Sequence, residues 1–344
     1  MSRYGSAVNH NCTGGAKMAG TAKTTIVGMS FATALLLAAC AGGLGSQASF
    51  DRSYAAEGQI RLDLANASGS VKITGGTDDK VHIHGEIRAH SFLFNNPEKQ
   101  ARELSSNPPI EQKPNIIRIG KDLSRFNGAS IDYTIEVPRN TEVTTTVASG
   151  SQTISDVRGP VKMDSASGSI AVSRIERSVQ VSSASGSITA LDLGDDFRSN
   201  SMSGSVSATN VKGDVRIHAL SGSMNVAKPG ARVDAGTTSG SVDIVGASND
   251  VSAESVSGRV YVQGNPSGNS YWNLKTTSGS VEVAVPPSAN FHLSAEAVSG
   301  DIRTGIPVVV EDQDKHSLRA RIGNAGGRVE IHTVSGGIRV QPTS

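Results

Sequence analysis

The chain has 344 residues, which is enough for one large core or for two domains. Its 32 Lys and Arg nearly balance 31 Asp and Glu, and a formal charge of +1 gives no basic footprint of the kind that nucleic-acid-binding proteins carry. Only 4% of the residues are aromatic and 38 are Gly, which favours a thin β structure over a thick globular core.

A secretory signal is predicted at residues 1–39. Residues 1–17 are polar, and Met18 opens a short basic segment with Lys23 that leads into an apolar stretch over 26–37. This stretch is too short for a comfortable membrane span. Met18 is an alternative start, because residues 1–17 push the apolar stretch unusually far inward.

The signal ends in Leu37-Ala-Ala-Cys40, which resembles the bacterial lipobox. The resemblance implies that cleavage exposes Cys40, which is then acylated on its sulfur and its amine, and several acyl chains anchor a protein stably. The alternative is an ordinary signal peptide with a chance Cys. Residues 40–50 are then the lipidated Cys and a flexible tether. We expect a lipid-anchored protein of the cell envelope, in the outer membrane if the cell has two, since no Asp follows Cys40.

Residues 51–147 are predicted to form an N-terminal cap with degenerate coils. The series Asn96, Pro97 and Glu98 predicts the start of a short helix that runs from Pro97 to about Ser106. A solenoid needs a cap, because its first coil has an unpaired backbone and an open core. Alternating apolar residues predict strands at 61–64, 71–73, 81–87, 116–119 and 131–137.

The strongest pattern is a Ser-Gly pair that recurs every 18 residues between residues 148 and 259. Apolar residues two apart flank each pair, as Val179 and Val181 do, and this period predicts strands. Gly takes φ > 0 without steric cost, so the pair is interpreted as a tight turn rather than a chemical motif. The flanking Ser residues are predicted to form hydrogen-bonded ladders along the rod. The turn ladder contains Gly150, Gly168, Gly186, Gly204, Gly222, Gly240 and Gly258.

This repeat predicts an all-β fold, a single-stranded β-solenoid or β-helix with about 18 residues and two or three short strands per coil. Propeller blades need about 40 to 45 residues and leucine-rich repeats about 20 to 29, so neither fits. A left-handed hexapeptide β-helix would place apolar residues every six positions rather than in doublets, and we therefore favour a right-handed solenoid. Some ten coils at ~4.8 Å each would make a rod on the order of 50 Å long.

Residues 148–344 are predicted to be the regular solenoid with a C-terminal cap. After Gly258 the spacing of the Ser-Gly pairs becomes 21, 21 and 36. The segments 328–331 and 338–340 are predicted to form the final coil, whose alternating charges would blunt the exposed edge. The extra residues are predicted to form loops around 265–269 and 285–289 and a longer hairpin over 307–321.

Short units of the form Val, five residues, then Ser-Gly-Ser-Val-x-Val, behind a lipoprotein signal, resemble the bacterial "putative adhesin" family of β-strand-repeat domains of unknown function. The resemblance covers about residues 55–341. It implies an extracytoplasmic, envelope-associated and non-catalytic solenoid. Three copies depart from the pattern, with Arg259, Asp301 and Gly337 in place of the second Ser.

The sequence predicts no catalytic residue, no metal site and no cofactor. Some β-helix proteins are polysaccharide lyases or hydrolases with several charged residues on one strand face. Here Glu282, Glu296 and Asp301 could approach one face across two coils, although solvated outward positions are favoured. His82 and His84 share a strand face, but no Cys or close carboxylate completes a metal set, so exposed strand histidines are favoured.

A candidate ligand or partner patch consists of aromatic residues where the coils lengthen. An aromatic shelf beside Asn and Ser loops could stack sugars or contact a partner. The favoured interpretation is that Trp272 and Phe291 instead fill a widened core toward the C-terminal end. The patch contains Tyr261, Tyr271, Trp272 and Phe291.

These observations predict a non-enzymatic, lipid-anchored envelope solenoid that serves adhesion, scaffolding or envelope-stress sensing through surface contacts. The expected partners are the membrane, through the N-terminal lipid, and an envelope protein or glycan, but no nucleic acid. A carbohydrate-active β-helix enzyme is the alternative, and it would require carboxylates that converge in a groove near Trp272. A purely structural periplasmic rod is a third hypothesis.

Overall fold

The part of the chain that the computed structural model describes comprises residues 45–56, 58–90, 96–120, 128–266, 268–324 and 326–343. These residues lie in one compact unit and form 29 strands and one helix. The strands belong to two sheets, one of 14 strands and one of 15. The prediction of an all-β solenoid with one short helix is confirmed. Within the described ranges, no helix has the length and hydropathy needed to cross a membrane.

The strands are short and follow one another at close intervals. In chain order, the elements are β1 (Gly45–Ala55), β2 (Arg61–Ser68), β3 (Val71–Gly76), β4 (Lys80–His90), α1 (Pro97–Ser106), β5 (Ile110–Lys113), β6 (Ile116–Ile119), β7 (Ala129–Pro138), β8 (Glu142–Ser149), β9 (Gln152–Ser155), β10 (Val161–Ser167), β11 (Ile170–Ile175), β12 (Val179–Ser185), β13 (Ile188–Leu193), β14 (Phe197–Ser203), β15 (Val206–Val211), β16 (Val215–Ser221), β17 (Met224–Pro229), β18 (Val233–Ser239), β19 (Val242–Ala247), β20 (Val251–Ser257), β21 (Val260–Gly264), β22 (Tyr271–Ser278), β23 (Val281–Val285), β24 (Phe291–Ser299), β25 (Ile302–Thr304), β26 (Val309–Gln313), β27 (Ser317–Ile322), β28 (Gly327–Ser335) and β29 (Ile338–Pro342).

Each regular coil contains two strands, one in each sheet. In one coil β12 lies in the 15-stranded sheet and β13 in the 14-stranded sheet, with the Ser-Gly-Ser turn between them. Each strand pairs in parallel with the corresponding strand of the next coil, and Val179 lies opposite Phe197, 18 residues further along. The coil is therefore a flattened, two-sided ring, because the sequence supplies one apolar doublet for each sheet.

The core fills the space between the two sheets along the whole stack. Inward residues alternate with outward ones, so Val179 and Val181 are buried while Gln180 is exposed. The same parity continues in every coil, and it brings identical positions of successive coils into contact. The largest fully buried side chains are Trp272, Tyr133, Phe197 and Phe291.

The Ser-Gly-Ser turns form one corner of the stack. The N–H of each glycine donates to the carbonyl of the Ser before the next glycine, and Gly168 N donates to Ser185 O at 3.1 Å. The ladder at the flanking Ser residues is thus made by backbone groups, with the Ser carbonyls as acceptors. At Gly204 φ is +129°, and a Cβ there would lie 2.1 Å from the carbonyl oxygen of Gly186. No side chain fits in that space, which explains why the corner requires glycine.

The opposite corner also repeats every 18 residues, with a left-handed backbone at residues other than glycine. This conformation costs such a residue on the order of 1–3 kcal/mol. Asp and Asn tolerate it better than other residues. Arg174 forms an ion pair with Asp156, and Asn210 donates a hydrogen bond to Asp192, and these contacts offset part of the cost. The residues with positive φ are Asp156, Arg174, Asp192, Asn210 and Lys228.

At the N-terminal end, the coil β2–β3 lies between the coil β6–β7 and the array that begins with β8–β9. Antiparallel pairing of β7 with β4 and of β4 with β1 extends the 14-stranded sheet beyond the coil β6–β7. Helix α1 begins at Pro97, as predicted, and Asn96 Oδ1 accepts from Glu98 N at 3.1 Å. The helix buries Ala101 and Leu104, so it covers the end of the core.

The C-terminal end differs from the prediction. The coil β28–β29 is not the final coil, because β28 pairs with β22 on one side and with β24 on the other. Likewise β29 lies between β23 and β25. The predicted hairpin is present as β26–β27, and β27 pairs with β24 at the end of the sheet. The terminal coil is therefore β24–β25, and the last strands of the sequence are inserted behind it.

Candidate functional site

The predicted lipidation site, Cys40, lies outside the described residues. The predicted tether over 40–50 is shorter than expected, because β1 already begins at Gly45 and Phe50 is buried against the core. Strand β1 therefore begins five residues after Cys40.

The structure separates the four aromatic residues of the candidate patch. Trp272 and Phe291 are fully buried, and Trp272 Nε1 donates to Asn249 O at 2.8 Å. These two side chains therefore fill the core and cannot form a ligand surface. Tyr271 is 40% exposed on the outer face of the 15-stranded sheet, whereas Tyr261 lies on the outer face of the 14-stranded sheet. The remaining two are thus on different faces.

Tyr261 belongs to a charged cluster on the 14-stranded sheet. The guanidinium of Arg259 lies 5.3 Å from the centre of the Tyr261 ring and donates to Asp243 Oδ1 at 2.7 Å. Arg259 also lies 3.9 Å from Glu282, which accepts from Gln341 at 2.6 Å. The charges of this cluster are largely compensated, and a cation that stacks on an exposed ring contributes about 0.5–1 kcal/mol.

Tyr271 is held by two carboxylates on the other face. Its backbone N–H donates to Asp250 Oδ1 at 2.9 Å, and its hydroxyl donates to Glu330 Oε2 on the inserted strand β28. The hydrogen bond to Glu330 raises the pKa of the Tyr271 hydroxyl, because ionisation would place two negative charges together. Tyr271 therefore connects adjacent coils.

The three acidic residues considered for catalysis do not converge. Glu282 lies on the 14-stranded sheet, whereas Glu296 lies on the 15-stranded sheet, 3.7 Å from His332. Asp301 lies at the corner between the sheets and accepts from Arg303 at 2.8 Å. An acid and a base that act on one bond must both reach it, and residues on opposite faces of a rod cannot.

The histidines of β4 lie on its outer face, as expected, but carboxylates are closer than the sequence suggested. His84 Nδ1 lies 2.8 Å from Asp51 Oδ1 on β1, and His82 Nε2 lies 3.9 Å from Asp78. Within the described part of the chain, no three His, Cys, Asp or Glu side chains are placed to hold a metal ion.

A shallow groove of about 320 Å³ follows the left-handed corner, and we call it the corner groove. Its floor is apolar, and its walls are ion pairs between successive coils. Arg174 donates to both carboxylate oxygens of Asp156, at 2.6 and 2.8 Å, and Arg158 donates to Glu176 at 2.9 Å. The bond from Arg174 holds the pKa of the Asp156 carboxyl below its ordinary value. The groove is lined by Arg139, Asp156, Val157, Arg158, Arg174, Ile175, Glu176, Asp192, Leu193, Gly194, Asn210 and Lys212.

A feature missed in the sequence lies beside the Ser-Gly corner. The residue two positions before each corner glycine points outward, and in five coils it is a large aliphatic side chain. Leu220 is 58% exposed and Val298 is 60% exposed, although Leu and Val are among the residues most often buried in proteins. The signal was present in the sequence, because each of these residues lies two positions before the glycine of a Ser-Gly pair and has outward parity. We call this set the aliphatic column: Met202, Leu220, Val256, Val334 and Val298.

The profile of the family described as Toastrack DUF4097 matches residues 59–341. Two solved structures are similar to the chain at low identity. One is a putative cell adhesion protein from Clostridium sporogenes ATCC 15579, at 12% identity, with 87% of this chain and 100% of that chain covered and a TM-score of 0.22. The other is a putative adhesin from Bacteroides fragilis NCTC 9343, at 13% identity, with 85% and 97% covered and a TM-score of 0.30. No curated protein matches the chain.

Proposed function

Because the chain belongs to the Toastrack DUF4097 family, we propose that it is a non-enzymatic, lipid-anchored protein of the cell envelope that serves adhesion or scaffolding through its repetitive surface. The observation that supports this proposal most is the aliphatic column. It places five exposed apolar side chains at the same position of their coils, beside the Ser-Gly corner, with Thr238 and Thr277 at that position in the two coils between them. Single exposed apolar residues are ordinary, but an aligned set is typical of a contact surface.

The chemistry of the corner favours an extended partner. Successive coils present their side chains about 4.8 Å apart, so a partner that lies along the stack would gain a small contact in each coil. Such contacts add up without a deep pocket, as they do on the concave surfaces of other repeat proteins. The partner class that fits is an extended envelope protein segment or a glycan.

The contact surface is tested with the double variant Met202→Ser, Leu220→Ser in the full chain. Binding to a glycan array and to proteins extracted from envelopes is compared with that of the unchanged chain. We expect a loss of binding of at least several-fold. The matched control is Leu191→Ser, Val245→Ser, which removes two aliphatic side chains that are each 39% exposed on the outer face of the 14-stranded sheet. Equal binding by both variants would contradict the proposed surface.

The proposed anchor is tested separately with Cys40→Ser. Several acyl chains hold a protein on a membrane, so their loss should move the protein from the membrane fraction to the soluble fraction. Fractionation with an antibody measures this shift. A Cys40→Ser protein that stays with the membranes would refute the lipid anchor and leave the contact surface untouched.

A further inference from the structure

The coil β28–β29 is bound from both sides by other parts of the chain. Strand β28 pairs in parallel with β22 over Tyr271–Ser278 and with β24 over Phe291–Ser299. Strand β29 pairs with β23 and β25 in the same way. We call the space between the coils β22–β23 and β24–β25 the slot, and β28–β29 the inserted coil.

The walls of the slot are also complementary to each other. A Cβ at Gly336 would lie 1.8 Å from Gly279 O, and a Cβ at Gly300 would lie 2.0 Å from Gly336 O, so the corner ladder passes through the inserted coil. The interval from Gly279 to Gly300 is 21 residues, the same as from Gly258 to Gly279. With the same interval, β22 and β24 would be in register if they paired directly, without the inserted coil.

The inserted coil reaches the slot through a short crossing. Ile322, at the end of β27, and Gly327, at the start of β28, both lie opposite Phe291, on the two sides of β24. The crossing between them is held by Asn290, which accepts from Asn324 N on its side chain at 2.8 Å and from Gly327 N on its backbone at 3.2 Å. Among the described residues of the crossing, these two bonds are few compared with the four strand pairings inside the slot.

From this arrangement we propose that β28–β29 is an exchangeable coil and that its partner is the slot of a second copy of this chain. A coil inserted from another copy makes the same strand pairings and buries the same side chains, so only the bonds of the crossing differ. Exchange of an identical element between copies has a low free-energy cost for this reason. The exchange links the C-terminal ends of solenoids, and it goes beyond the proposed adhesive function and does not depend on it.

The test uses disulfides that report which copy fills the slot. Lys275 and His332 are Cα partners across β22 and β28, and both point outward. Neighbouring strands lie about 4.8 Å apart, within the range of a disulfide. The variant is Lys275→Cys, His332→Cys in the full chain with Cys12→Ser and Cys40→Ser. It is unfolded, refolded at two protein concentrations that differ tenfold, oxidised, and separated on a non-reducing gel.

We expect a disulfide within one chain at low concentration and disulfide-linked dimers and larger species at high concentration. While the monomer dominates, mass action raises the ratio of dimer to monomer about tenfold for a tenfold higher concentration. The matched control is Ser182→Cys, Asn200→Cys, in which the disulfide joins β12 to its sheet neighbour β14 in the next coil. This disulfide should form within one chain at both concentrations. Linked dimers in neither variant, or equally in both, would overturn the proposal.

Two further variants guard against misfolding of the first. Arg303→Cys, Arg339→Cys reports the same slot from the other sheet, where these residues are Cα partners across β25 and β29. Asn290→Ala, added to the reporter cysteines, removes the acceptor of Asn324 N in the closed crossing and also the bond from Asn290 Nδ2 to Ser288 O. The second bond is lost in the closed and the exchanged form alike, so the linked fraction should rise several-fold. An unchanged linked fraction in Asn290→Ala would refute the crossing as the hinge of the exchange.

Discussion

The corner glycines are the residues on which the stacking of the coils depends most directly. Along the array, each glycine has positive φ and its α-carbon faces the carbonyl oxygen of the glycine in the preceding coil. The hydrogen bond from its N–H to the next coil keeps that distance short. A side chain at this position is therefore unfavourable for two reasons. Its backbone would be in a conformation that favours glycine, and its Cβ would clash with the carbonyl oxygen of the preceding glycine, which cannot move without breaking the ladder.

The comparison of Gly204→Ala with a control glycine distinguishes the steric clash at the corner from the ordinary effect of replacing a glycine that has positive φ. We expect Gly204→Ala to lower the free energy of unfolding by about 2–4 kcal/mol, because the new Cβ would lie 2.1 Å from Gly186 O. The control is Gly268→Ala, where φ is +64° and nothing lies within 4 Å of the added Cβ. Denaturant unfolding measures both. A loss at Gly204 no larger than that at Gly268 would refute the role of close packing.

Parity explains why Trp272 and Phe291 lie in the core while Tyr271 lies on the surface. Counting back from the corner glycines, Trp272 and Phe291 fall on inward positions and Tyr271 on an outward one. A two-residue period therefore contained the correct answer for the core. The pairing of Tyr271 with Glu330 could not be derived, because it depends on a strand that lies 59 residues further along the chain.

At the scale of elements, helix α1 is the part of the cap that the sequence defined most sharply. Its bounds follow from the Asn96 cap, the proline at its first position and the proline-rich segment after it. Arg52 of β1 donates to the carbonyl of Ser106 at 3.2 Å, so the helix is also held at its C-terminal end. The helix thus joins the edge strand to the end of the core.

Asn96→Ala should lower the stability of the cap by about 1 kcal/mol, since it leaves the N–H groups of Glu98 and Lys99 without their side-chain acceptor. Hydrogen exchange at the first turn of α1 should become faster, while exchange in the regular coils is unchanged. Asn96→Ser serves as the control, because Ser also caps helices. Equal exchange in the Ala and Ser variants would contradict this role of the Asn96 side chain.

The order of the coils was the element-level feature that the sequence did not determine. The period, the strands, the corner, the hairpin and α1 follow from local patterns, which act over a few residues. The coil β28–β29 could stack between several pairs of coils, because each coil has the same apolar doublets and the same Ser-Gly turn. The local pattern therefore does not determine its position. Nearly identical units stack on one another in more than one order, so a pattern within each unit cannot specify the order.

At the scale of the whole molecule, stability is distributed along the stack. Each regular coil contacts only the coil before it and the coil after it, and the backbone ladder repeats between every pair. In such an arrangement the free energy is close to a sum over coils and their interfaces. Length can then change without a change of fold.

Deletion of Ser187–Gly204, which is one complete coil of 18 residues, should leave the protein folded. The stack should shorten by about 4.8 Å, and the strand content per residue should be unchanged. Circular dichroism and small-angle scattering measure these quantities. The control is deletion of Ser187–Asp195, which removes half a coil and brings a strand of one sheet into the place of the other. A half-coil deletion as stable as the full-coil deletion would refute independent coils.

The direction of the backbone hydrogen bonds also determines how the molecule responds to tension. In both sheets the strands lie across the stack, so the bonds between coils point along it. A pull along the stack puts the same force on every interface, and the weakest interface gives way first, so the coils should separate one at a time at low force. Each released coil of 18 residues lengthens from about 5 Å to roughly 60 Å. A cell surface tethered through such a stack would yield in small steps before its tether breaks.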